Sequence, residues 1–242
     1  MQHLFWNKIA CTLFLILSIP VISQAQEIQL NLPDHDEKRF HFGINVGANR
    51  SHYSFTHHPL FLQQDSIMAI ESINSTGINL SWLVNMRLTD HLIVRTYPLS
   101  LVFTEKAFDY SLSKLNPEYN EDSTLIKKIQ GITLAITLQL KFTSNRIANM
   151  KVYMMGGGKV EYDMAANKGK KNAETQIKLS PFDYGLEAGI GFHFYFPVFV
   201  LTPELKIGYG LNNVHRRDAD LKFSNTVDKI NSRTITFSLT VE

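Results

Sequence analysis

The sequence predicts an all-β chain: an eight-stranded antiparallel up-and-down transmembrane β-barrel. Three observations carry this reading. Long stretches alternate apolar and polar residues with period two, as strands with unlike faces do. The links between these stretches alternate between long and short. No apolar run after residue 25 reaches the ~20 residues of a spanning helix, whereas ~10-residue alternating segments separated by turns are the signal of a membrane barrel.

The first segment stands outside the fold. Met1–Ala25 has a basic residue (Lys8), an apolar run from Ile9 to Ile22 broken by Pro20, and a small-residue site at Ser23-Gln24-Ala25. That layout is a secretory signal peptide. It contains the sole cysteine, Cys11, so the exported chain has no disulfide framework and relies on strand pairing and packing. With that segment set aside, 23 basic residues face 22 acidic ones, and no clustered basic face marks a nucleic-acid partner. Residues 26–39 are polar, with Pro33 and an acidic cluster at Asp34, Asp36 and Glu37, and read as a flexible periplasmic leader. The barrel itself is expected over 40–242.

The first strand falls near His41–Phe55, with Phe42, Ile44, Val46 and Ala48 opposed to Gly43, Asn45, Gly47 and Asn49. A long connection over 56–72 leads to the second, where Ile78, Leu80, Trp82, Val84, Met86 and Leu88 face one way. The third, His91–Ser111, contains Pro98, which has no N–H to give to a ladder. A bulge is expected there, with Leu99, Leu101 and Phe103 taking over the apolar phase. After a polar loop at 114–123 comes the fourth, with Ile132 through Phe142 alternating against Thr133 through Lys141. The fifth, Met150–Met164, is weakened by Gly156–Gly158. A lysine-rich loop follows at 165–178. Strands six and seven form the tight hairpin Phe182–Leu211, turning near Pro197. A loop at 212–231 leads to the last strand, Arg233–Glu242. Tight turns at one rim and long loops at the other fit an outer-membrane barrel with both termini on the periplasmic side.

Alternation alone does not say which face meets lipid, since a lipocalin-like soluble barrel has an apolar lumen. Long strands favour the membrane. So do aromatic girdles, with Phe142, Phe194, Phe196 and Phe199 at one rim and Tyr184 and Tyr209 at the other. The polar face carries charges of both signs, which an eight-stranded interior has room only to pack, not to conduct through. A structural ion-pair network of Arg87, Arg95, Glu187, Glu204 and Lys206 is expected to fill the lumen, because a buried charge is tolerable only with a partner.

No residue pattern carries catalysis or a cofactor. In Met154–Lys159, MMGGGK, Tyr153 stands where a phosphate loop needs its first glycine. His52, His57, His58 and Asp65 in the first long loop match no standard metal spacing. The expectation is a non-enzyme with no cofactor or metal.

Several stretches resemble a narrower group: the PorT family, called SprT in gliding bacteria, of the type IX secretion system of Bacteroidota. They are FGINVGANRS (Phe42–Ser51), QQDSIMAI (Gln63–Ile70) and VRTYPLSLVFTEKAFDY (Val94–Tyr110), the last similar to the family's arginine–proline–phenylalanine strand. The likeness is strongest in FDYGLEAGIGFHFYFPVFVLTPELKIGYGLNNV (Phe182–Val214) and SNTVDKINSRTITFSLTVE (Ser224–Glu242). The lysine-rich loop 165–178 and Arg216-Arg217 are particular to this chain. The resemblance implies a non-enzymatic outer-membrane barrel needed to export cargo with a C-terminal sorting domain. Its partners would be the lipid bilayer and other components of the secretion machinery. The alternative from the residues alone is a structural or adhesive barrel acting through its outer loops.

Overall fold

The computed structural model describes residues 29–57, 67–73, 75–112, 124–164, 178–216 and 227–242. Asn31–Glu242 forms one compact unit. The segment read as a signal peptide lies outside the described residues, as do His58 and Asp65.

Eight staves form the barrel: β1 (Phe40–His57), β2 (Ile67–Ile73 and Ser75–Arg87), β3 (Leu92–Leu112), β4 (Thr124–Thr143), β5 (Met150–Asp163), β6 (Phe182–Tyr195), β7 (Val200–Gly210) and β8 (Val227–Val241). Each pairs antiparallel with its neighbours in sequence. The last pairs back on the first, from Ile44 opposite Val241 to His57 opposite Val227. The sheet is therefore closed, which removes the free edges that no bilayer tolerates. The turns at one end are short, spanning 88–91, 144–149 and 196–199; the connections at the other span 58–66, 113–123, 164–181 and 211–226.

Burial alternates along every stave, and its phase answers the question the sequence leaves open. Phe42, Ile44 and Val46 on β1, Ile78, Leu80 and Trp82 on β2, Ile136, Leu138 and Leu140 on β4, and Ile235 and Phe237 on β8 all point outward and are exposed. The buried, inward positions are polar: Asn45, Asn49, Asn79, Asn85, Arg95, Gln139, Lys141, Glu204 and Ser238 among them. A water-soluble protein does not present such a continuous apolar belt, but a bilayer requires one. Aromatic rings mark both rims of the belt. Phe196 and Phe199 stack at 4.9 Å at the short-turn end, and Tyr162 lies 4.8 Å from Phe182 at the other.

The bulge expected at Pro98 is present. Trp82 pairs with Leu99 and Val84 with Thr96, so β3 spends an extra residue there. The opposite edge slips between Tyr97 and Ser100. Inward positions change from Arg95 and Tyr97 to Ser100 as a result.

Two strand boundaries differ from the sequence reading. Ile67–Ile73 belongs to a strand and pairs with Ala107–Leu112 of β3, not to a connection. β8 starts at Val227 instead of Arg233, because β1 runs on to His57 and supplies partners for Lys229 and Asn231. In both places charged and polar residues interrupt the alternation, while backbone pairing continues regardless of side-chain type.

Candidate functional site

Chemistry-bearing side chains converge in the polar interior. Its centre is Glu204, which β7 points inward two residues before Lys206. The carboxylate of Glu204 pairs with the guanidinium of Arg95 from β3. It accepts hydrogen bonds from Tyr153, from Tyr97 at 3.3 Å and from Ser238 at 3.5 Å, and lies 3.6 Å from the Lys206 ammonium. Arg95 makes a second ion pair at 3.0 Å with Glu242 and donates to Asn85 at 2.7 Å; Asn85 in turn donates to Glu242 at 2.8 Å. The Arg95 and Glu204 side chains are 0% exposed.

Beside this cluster Lys141 of β4 bonds to His193 Nε2 and stands 3.9 Å over the Tyr153 ring. His193 Nδ1 lies within hydrogen-bond distance of the Thr202 hydroxyl, at 2.8 Å. Glycine makes this packing possible. A Cβ on Gly191 would lie 2.3 Å from the Tyr153 hydroxyl, so the phenol rests against bare backbone to reach Glu204.

The five charges expected to fill the lumen therefore divide. Arg95, Glu204 and Lys206 meet in one buried cluster. Glu187 sits higher, accepting from Gln139 at 2.6 Å, beside a cavity of about 60 Å³ that Lys159, Glu161 and Lys206 also line. Arg87 stands apart at the short-turn rim, paired with exposed Asp90 and donating to the Asp36 carbonyl at 2.6 Å. From the sequence, Lys141 counts among the polar-face charges able to pair inside the lumen and His193 lies on a polar face, but neither is among the five residues of the expected network. Tyr97, Tyr153, Asn85 and Glu242 were missed. The inward phase of each strand, once Pro98 is read as a bulge, is the signal that finds the first three.

The stretch read as a flexible leader is, from Asn31 to Arg39, tied to this rim. Residues Pro33–Glu37 form a 3-10 helix. Asp36 accepts from Tyr195 at 2.8 Å, pairs with Lys151 at 2.8 Å and faces Arg146 at 3.6 Å. Arg146 lies 3.8 Å over the Tyr195 ring and donates to the carbonyls of Asn31, Leu32 and Ala148. His35 stacks on His41 with centroids 4.3 Å apart. Polar composition reads as solvated chain because the partners lie more than a hundred residues away. Burial pushes the Asp36 carboxyl up, but the hydrogen bonds from Lys151 and Tyr195 outweigh it and hold it below its ordinary 3.8. Burial, aided by the neighbouring His41, brings the His35 imidazole down to about 4.

Arg95, Lys141, Glu204 and His193 are buried in the lumen. Among the described residues no group of three His, Cys, Asp or Glu side chains could hold a metal ion.

None of the curated proteins compared with the sequence matches it. Among solved structures, the chain is similar to the neisserial surface protein A at 13% identity, over 84% of this chain and 99% of that one, with a TM-score of 0.41. It is similar to the outer membrane protein OprG of Pseudomonas aeruginosa at 12% identity, over 82% and 93%, with a TM-score of 0.42. The attachment invasion locus protein of Yersinia pestis, also at 12%, is covered over 96% of its length and covers 83% of this chain, with a TM-score of 0.35. The family described as "Outer membrane protein beta-barrel domain" matches residues 24–216, well over half of the sequence. With its closed stave order, apolar outer belt and polar packed lumen, the chain belongs to that family and is a β-barrel protein embedded in the bilayer of the outer membrane.

Proposed function

We propose that this barrel is an accessory component of the type IX secretion system, needed to deliver cargo with a C-terminal sorting domain to the cell surface. The observation that carries the reading is the residue resemblance to the PorT/SprT family, strongest over Phe182–Val214 and Ser224–Glu242. The buried Arg95–Glu204 cluster is compatible with it: a plugged lumen leaves no path for a polypeptide, so the barrel would serve through its surfaces. Partner components would contact the long loops or the short-turn rim around Asp36, and the barrel would have no catalytic role. Deletion of the gene tests the reading. Loss of sorting-domain cargo from the cell surface, restored by the wild-type gene, is the expected result; intact delivery would overturn it.

A second reading, an adhesive or structural barrel acting through its outer loops, is favoured by the height of its wall. β3 has 21 residues and β4 has 20, about twice the ~9–11 that cross a bilayer. Deletion that spares cargo delivery but abolishes cell attachment would select it.

A further inference from the structure

The outward face of the seam between β8 and β1 changes character at its long-loop end. On β1 the apolar belt of Phe42, Ile44 and Val46 gives way, past Ala48, to Arg50 and His52; on β8 Phe237 and Ile235 give way to Arg233. Arg50 is opposite Ile235 and His52 is opposite Arg233. Cross-strand geometry therefore sets His52 and Arg233 ~5 Å apart at Cβ, with Arg50 one diagonal from Arg233 at ~7–8 Å. At ~3.4 Å per residue and a tilt of ~40°, the climb from Phe40 to Arg50 is ~26 Å, which matches the ~25 Å apolar band of such barrels. The long loops face away from the cell, so these three side chains stand in the headgroup layer of the outer leaflet.

Both arginines are exposed, and neither has a carboxylate partner among the described residues. The Arg233 guanidinium lies 5.3 Å from the centre of the Tyr209 ring, flat against the barrel wall. On β5 and β6 the described acids Glu161, Asp163, Asp183 and Glu187 sit on the inward phase, and on β8 Asp228 lies past the register shift at Thr56. Neighbouring cations with no carboxylate between them repel, and an anion held between them removes that cost. Toward the same rim, the outward positions of β5, β6 and β7 are Tyr162, Tyr184 and Tyr209, so the cations belong to one sector. Beside them the outward wall is grooved. A groove of about 740 Å³ is lined by Val46, Ile78, Leu80, Phe103 and Ile132, with Thr76 at its upper end, and Thr76 is opposite Arg50. That volume is within the ~300–1,000 Å³ of small organic ligand sites. Cations above and an apolar groove below fit the two ends of one amphiphile.

We propose that the β8–β1–β2 sector binds a phosphorylated glycolipid of the outer leaflet, of the lipid A class. A phosphate sits among Arg50, His52 and Arg233, whose guanidinium forks match phosphate oxygens, and an acyl chain lies in the groove. The site does not depend on any role in secretion. The test uses the chain from residue 26 onward, refolded in detergent free of lipopolysaccharide, with bound lipid counted by native mass spectrometry. It is titrated with diphosphoryl lipid A and with the same lipid stripped of both phosphates, and inorganic phosphate is added as competitor. Arg50→Gln and Arg233→Gln, singly and together, are compared with Arg39→Gln, which removes the same charge from an exposed position at the short-turn rim. Heat-modifiable migration confirms folding, and either single variant suffices if the double one fails to fold. The wild type should bind diphosphoryl lipid A at least about tenfold tighter than the phosphate-free lipid. The Arg50 and Arg233 variants should lose that preference, Arg39→Gln should keep it, and inorganic phosphate should leave the complex intact. Equal affinity for the two lipids would overturn the proposal, as would an unchanged preference in the Arg50 and Arg233 variants, an equal loss in Arg39→Gln, or displacement of the lipid by inorganic phosphate.

Discussion

Replacing Glu204 by alanine removes the carboxylate on which two cations and two phenols converge. Breaking a buried ion pair by deleting one partner costs about 3–5 kcal/mol, because the other charge is left uncompensated. Arg95 retains Glu242 at 3.0 Å, so its loss is partial. Lys206 lies 3.6 Å from Glu204 and keeps the Tyr97 hydroxyl at 3.5 Å and the Tyr97 ring at 4.7 Å, neither of them an anion. The lower end of the range, about 3 kcal/mol, follows, which is roughly a hundredfold in the unfolding equilibrium at ~1.4 kcal/mol per decade. For a domain of this size that lowers the melting temperature by about 6–12 °C. The assay is thermal unfolding in detergent, followed by heat-modifiable gel migration and by the fluorescence of Trp82, the only tryptophan after residue 25. Asp90→Ala is the control: it breaks the Arg87 pair, whose carboxylate is 78% exposed, and such surface pairs are worth little. A double Arg95→Met, Glu204→Leu variant should recover much of the loss, since apolar packing replaces a buried pair at little cost. A Glu204→Ala barrel that melts together with Asp90→Ala would refute the reasoning.

Three further outcomes are expected. Gly191→Ala pushes against a Tyr153 hydroxyl 2.3 Å from the new Cβ and should cost about 1–3 kcal/mol in urea unfolding, with Tyr153→Ala relieving the strain in the double variant. Ile136→Arg, on the lipid face where Ile136 is 61% exposed, should cost about 2–4 kcal/mol in refolding titrations into bilayers; no effect would place that face elsewhere than against lipid. The rim contacts of the leader should be acid-labile. A base held down at about 4 against an ordinary 6.5 supports docking fully above about 6.5 and loses it as pH falls toward 4. Asp36, held below 3.8, adds a second loss below that value. The anisotropy of a fluorophore on Asp34→Cys, in a Cys11→Ser background, should fall through the upper window, and His35→Gln should abolish that step alone.

Strand identity and facing were legible because lipid imposes a sharp period-two rule on each stave. Even the bulge was readable, since Pro98 removes a donor where the apolar phase changes. The lumen was legible only in part. Arg95, Glu204 and Lys206 announce themselves as charges at inward positions, yet nothing in sequence spacing reveals that β3 and β7 bring them into contact across the barrel. Glu187 and Arg87 share the same phase but sit at other heights, and height depends on stagger between strands. The docking of Asp36 was not legible at all. Its partners Arg146, Lys151 and Tyr195 come from a hairpin turn and the ends of the paired strands β5 and β6, more than a hundred residues from the leader.

A membrane barrel whose lumen is filled by its own ion-pair cluster should not conduct ions. The most direct test is ion conductance across a planar bilayer containing the refolded chain from residue 26 onward. No sustained channel openings are expected from the wild type at neutral pH, because the Arg95 and Glu204 side chains are fully buried in the lumen. Stable open-channel current from the wild-type barrel would contradict it.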